Sequence, residues 1–179
     1  EIGVRLVGSE MCIRDSPQSV PELTALFERL GARDPESWAS SQIDSHIPQL
    51  HRYLFLRQCW QHVMGENSIG WIDSHIQQAE KNPLEPFSGV GSALKRVIAA
   101  GGTHEDLSEI ARGVQVELLF QLCYLLDDNG LSEPELNGIG WGLFQTDEEG
   151  NPQGPIGALH ESVLELDPTG REMRPKDAP

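Results

Sequence analysis

Between Gly113 and Gly170 there is no Lys and no Arg, although the same 58 residues hold eleven Asp or Glu. Lys is scarce throughout, at 3 against 10 Arg, and the whole chain carries a formal charge of −15. Binding to nucleic acid rests on neutralising phosphates with basic side chains, so this balance excludes it as a role. It works equally against docking on anionic lipid surfaces. Apolar residues never run long: Val116 to Leu126, 11 residues interrupted by Glu117 and Gln121, is the richest stretch. That is well short of the roughly 20 apolar residues a membrane-spanning helix needs. Cysteine is rare, with Cys12, Cys59 and Cys123 alone, which excludes a disulfide-stapled scaffold. Cys59 and Cys123 sit in apolar helical patterns and are expected to be buried free thiols in a reducing cytoplasm.

The first sixteen residues stand apart. The string Ser9 to Ser16, SEMCIRDS, within EIGVRLVGSEMCIRDS, resembles translated sequencing-adapter sequence. The resemblance implies that residues 1–16 are not native, and segments of that origin are set aside before a fold is argued. Nothing then follows from the absence of a leader before Pro17. The remaining 163 residues are a comfortable length for one helical domain, expected over 17–170 with a tail at 171–179.

Helix punctuation recurs up to residue 127. Pro21 opens a first helix with Leu23, Leu26, Phe27 and Leu30 at helical spacing, and Gly31 stops it. Asp34 and Pro35 supply an N-cap and a first-turn proline for a second, carrying Trp38, Ala39 and Ile43. Gln49 to Met64 aligns Tyr53, Leu56, Trp60, Val63 and Met64 on one core-facing stripe. Further helices are predicted over about Ser68 to Lys81 and Gly91 to Ala100. The strongest pattern follows. Thr103 and Asp106 form a capping-box pair, and Leu107, Ile110, Ala111, Val114, Leu118, Leu122 and Leu125 supply a continuous apolar face. Val116, Leu119, Phe120, Cys123 and Leu126 make this helix apolar nearly all round, as expected of the central helix of a bundle.

Beyond residue 127 the composition loosens, with 8 Gly and 6 Pro in residues 128–179. Ser132 and Glu135 bracket a short, glycine-weakened helix. Leu143 to Thr146 reads as a strand entering a turn. Ile156, Leu159, Val163 and Leu166 read as a last helical stripe, and Asp167-Pro168-Thr169-Gly170 as a type I turn, with a small hairpin around it as the competing reading. The fold class is therefore mainly α: about six or seven helices around the 103–127 helix, with an irregular acidic C-terminal third able to hold a small β-hairpin.

Candidate chemistry is sparse. The string Ile-Asp-Ser-His-Ile occurs at 43–47 and again at 72–76, but residues two apart on a helix point in opposing directions, so it reads as coincidence. No H-x-x-x-H or E-x-x-H is present, and only His62 with Glu66 could chelate from one helix face. Cys59 and His62 begin a thiol–imidazole site without an orienting third group. Asp147-x-Glu149-x-Asn151 imitates a calcium loop but has Pro152 and Ala158 where that loop needs Gly and Glu. Glu117 lies with Gly113, Gln121, Tyr124 and Asp128 on the polar stripe of the central helix, which reads as its solvated face.

The acid block is the feature with functional content. Acids without local cations repel one another and are offset by water, metal ions or a basic partner. The leading expectation is a non-enzymatic interaction protein, of inhibitor or immunity type, that holds a basic protein through Asp127, Asp128, Glu133, Glu135, Asp147, Glu148 and Glu149. No cofactor is expected on that reading. The alternative is a helical enzyme with a divalent metal held by Glu117, Asp128 and Glu161. A nucleic-acid mimic rests on charge alone, and an acidic surface adapted to a salty habitat would spread its charge rather than concentrate it.

Overall fold

Local capping chemistry sets the helix ends. In a computed structural model, residues 19–136 and 138–176 are described; residues 1–16, read as non-native, lie outside them. The described chain is mainly helical, with one small antiparallel sheet near its C-terminal end. It divides into two compact units, ending and beginning at Leu50 and His51.

The first unit is a helical pair, α1 (Val20–Leu30) and α2 (Pro35–Ser45). Gly31 ends α1 at φ +87°, a left-handed conformation that costs glycine little, and the N–H of Ala32 closes the turn on Phe27 O. Asp34 caps α2 by accepting from Ser37 N at 3.2 Å. Leu23, Phe27, Trp38 and Ala39 form the buried seam, with the Phe27 and Trp38 rings 5.9 Å apart. His46 ends α2 in a left-handed conformation, whereas Asp73 to His75 lie inside a continuous helix, so the two Ile-Asp-Ser-His-Ile copies have different structures.

The second unit holds most of α3 (Gln49–Gln61), then α4 (Gly70–Lys81), α5 (Ser88–Ala99) and α6 (His104–Asp127). Thr103 caps α6 as its sequence predicts, accepting from Asp106 N at 3.1 Å, while its hydroxyl donates to the Asp106 carboxylate. The expected helix after Ser132 is a single 3-10 turn, Pro134–Leu136. β1 (Leu143–Thr146) pairs with β2 (Pro152–Ile156), Leu143 opposite Ile156, with an irregularity between Phe144 and Thr146. The hairpin thus closes around residues 147–151 and not around Asp167, and Ile156 belongs to a strand rather than to the last helix. Only one turn of that helix forms, α7 (Leu159–Ser162). The 167–170 turn is present, with Gly170 N donating to Asp167 O at 2.9 Å.

The core of this unit gathers Leu56 and Trp60 of α3, Val116 and Cys123 of α6, Ile156 of β2, and Leu159 and Val163. Trp60 Nε1 donates to Val163 O at 2.8 Å, tying α3 to the C-terminal segment. Residues from 171 onward, read as a tail, are engaged as far as they are described: Arg171 pairs with Glu66, and Lys176 Nζ lies 3.7 Å from it. Among the described residues no helix is long and apolar enough to cross a membrane.

Cys59 and Cys123 are both free. Burial pushes the Cys123 thiol up to about 12, and burial also raises Cys59. A thiolate is the reactive form, so both are held away from nucleophilic chemistry. We expect Cys123, 1% exposed, to resist a maleimide at pH 7 in the folded protein and to react fully in urea. Rapid native labelling at Cys123 by mass spectrometry would contradict this packing.

Candidate functional site

The acidic third is built from α6's last turn, the loop after it and the hairpin. Asp128 is the C-terminal cap of α6, exposed, with Oδ1 accepting from Gly130 N at 3.1 Å. Glu133 and Glu135 flank and occupy the exposed 3-10 turn, and Glu148 and Glu149 sit at the exposed hairpin tip. None of these five forms an ion pair with a described residue; among the described residues, Lys and Arg pair with other acids, as at Lys95–Glu80, Arg112–Asp167, Arg171–Glu66, Lys176–Glu66 and Arg174–Glu172.

Two of the expected surface acids do other work. Asp147 folds the hairpin turn: its carboxylate accepts from Asn151 N at 2.8 Å, from the Asn151 amide and from Gln153 Nε2 at 2.8 Å. The Asn151 backbone N–H, then its side chain, hold this carboxyl below its ordinary range. Asp127 does not belong to the surface at all, its side chain being 8% exposed. Its Oδ2 accepts from His160 Nδ1 at 2.6 Å and His160 N at 3.1 Å, while Oδ1 is buried without a described partner. His160 is flanked edge-on by Tyr124 and Phe120, at 5.0 and 5.9 Å. Buried Arg52 adds a positive charge: burial lowers its pKa, and Glu161, Asp127 and Glu165 oppose that shift. The contact closes the end of α6 onto α7.

A second polar centre is fully internal. Arg112 donates from Nη2 to Asp167 Oδ1 at 2.7 Å and from Nη1 to Met64 O at 2.6 Å, and its guanidinium lies 5.3 Å from the Trp60 ring. Burial pushes the Asp167 carboxyl up, but hydrogen bonds from Thr169 N, Met173 N and the Thr169 hydroxyl, with Arg112, outweigh it and hold the group low. Neither residue stood out in the sequence; the turn signature at 167–170 marked Asp167's backbone but not its ion pair.

The outward surface of α6 departs most from expectation. Its buried positions are Ser108, Arg112, Val116 and Cys123. Ile110, Val114, Leu118, Leu122 and Leu125, the row that periodicity assigns to the core, are 46–63% exposed. The row is about 22 Å long at 1.5 Å per residue. Beside it lies an open groove of ≈ 460 Å³, lined by Glu109, Gly113, Val116, Glu117, Phe120, Gln121, Leu164 and Met173. Glu117 is exposed, so the Gly113–Glu117–Gln121 row faces solvent on the groove's edge.

The metal alternative fails on distance. Glu117 and Asp128 are eleven positions apart along one helix, about 16 Å, too far to share an ion with Glu161. Among the described residues no group of three or more His, Cys, Asp or Glu is placed to hold a metal. Glu66 is taken by Arg171 and is not paired with His62. No family model matches this sequence, and neither a curated protein nor a solved structure is similar to it.

Proposed function

We propose that this protein is a non-enzymatic binding protein that holds a basic protein partner on its acidic C-terminal third, as an inhibitor or immunity-type protein holds a cationic effector. The observation that carries the reading is the set of exposed carboxylates at Asp128, Glu133, Glu135, Glu148 and Glu149, which no described cation of the chain neutralises. A field of one sign that its own fold leaves open speeds encounter with an oppositely charged partner and rejects like-charged ones. Its place of action is the cytoplasm, where the Cys59 and Cys123 thiols stay reduced.

The test is capture of partners from source lysate on residues 17–179, read by mass spectrometry. A stoichiometric basic protein is expected, released by about 0.5 M salt, where charges more than a few ångström apart are screened. Replacing Glu133, Glu135, Glu148 and Glu149 together by Gln is expected to slow association by about tenfold or more, within the range electrostatic steering supplies. A partner that survives high salt and ignores the four replacements would refute the proposal.

A further inference from the structure

We infer that the outward face of α6 is the docking site for an amphipathic helix that carries Lys or Arg beside its apolar stripe. This rests on the basic-partner reading above and names the form that partner takes. Three observations converge. The Ile110–Leu125 row is a straight apolar strip left open to water, the surface that i, i+3/i+4, i+7 anchors of a second helix fit. Glu109 and Glu117 stand along the adjoining groove, whose floor of Val116, Phe120, Leu164 and Met173 suits the aliphatic stem of a Lys or Arg while the carboxylates take its charge.

Gly113 is the third. It lies in the middle of α6, where glycine costs a helix about 1 kcal/mol against Ala. A Cβ there would meet nothing within 4 Å, so the protein's own packing gives no reason for it. Close approach of another backbone does. Charge decides between occupants: a second copy, itself at −15, would bring carboxylates against Glu109 and Glu117, whereas a basic helix is complementary.

The experiment titrates the full chain against fluorescent peptides of about 18 residues, roughly five helical turns. One is a Leu/Lys peptide with Leu on one helical face, one its scrambled isomer, and one the Leu/Glu counterpart. The facial Leu/Lys peptide is expected to bind about tenfold or more tighter than either control, a 1.4 kcal/mol difference. Leu118→Gln and Gly113→Gln are each expected to weaken it by about tenfold, as loss of a central anchor does. Gly113→Gln is also expected to raise the melting temperature of the free protein, so its binding loss cannot come from unfolding. Equal binding of the scrambled peptide, lost only in the Glu133, Glu135, Glu148 and Glu149 replacements, would overturn the docking site and leave the acidic reading standing. Failure of both Lys peptides to bind would overturn both. A dimer by sedimentation that Leu118→Gln dissociates would assign the face to a second copy and overturn the inference.

Discussion

Arg112→Ala is expected to cost about 3–5 kcal/mol, the scale of breaking a buried ion pair by removing one partner. Against a total of about 5–15 kcal/mol for a folded domain, that is from about a fifth to all of the stability. The side chains of Arg112 and Asp167 are 3% and 0% exposed, so neither charge has recourse to water when the other is gone. The loss also strips Met64 O of its donor and the Trp60 ring of its cation. Asp167 would retain its bonds from Thr169 and Met173, which hold the turn together and keep the cost toward the lower part of that range.

The double replacement Arg112→Met with Asp167→Asn should recover part of the stability, because no charge is then left buried and the one Asn carbonyl oxygen still accepts from Thr169 N, while its amide group cannot accept from Met173 N. Asp167 also sets an acid limb. Its folded pKa lies below the unfolded value of about 3.9, so its contribution is fully present above that pH and is lost as pH falls through the folded pKa. Urea unfolding at pH 7 and pH 3 would show a steeper loss in the native sequence than in the double variant. A cost under about 1 kcal/mol for Arg112→Ala, the level of an exposed pair, would refute the account.

Gly91→Ala is expected to force α4 and α5 apart. The added Cβ would lie 2.0 Å from His75 O and 2.7 Å from Ala79 Cβ, and a backbone carbonyl cannot swing away as a side-chain end can. Overpacking of a closed contact costs about 1–3 kcal/mol and occasionally more. The fully buried Ile72 and the Lys95–Glu80 pair lie in the same helical hairpin and would be disturbed with it. Gly89, two residues earlier in α5, has nothing within 4 Å of its own notional Cβ. Gly89→Ala should leave stability unchanged or raise it by about 0.5 kcal/mol through helix propensity. The pair separates close packing from propensity in one helix: equal melting temperatures for the two variants would show that α4 and α5 are not packed as described.

The local grammar of the chain was legible because its causes span five residues or fewer. Gly31 as a stop, Asp34 and Thr103 as caps, and the Asp167 turn all follow from bonds between near neighbours. The hairpin was half legible: Leu143 to Thr146 reads as a short extended piece entering the Asp147 to Pro152 turn, but Ile156 fits a helical stripe as well as a strand. Its assignment to β2 depends on pairing with Leu143 across the turn. Asp127 read as a surface acid because nothing within reach along the chain partners it; His160, 33 residues on, does.

Sequence by itself determined a mainly helical chain, the ends of its first helices, and an acid-rich third with no cations of its own. Tertiary structure alone decided which acids are free and which are consumed, which partner Arg112 takes, and which side of α6 meets water. The reason is the same in each case. Periodicity measures how apolar a face is, but burial needs a second surface to cover it. On α6, where nearly every face is apolar, the Val116 and Cys123 side is covered and the Ile110 to Leu125 row is left open.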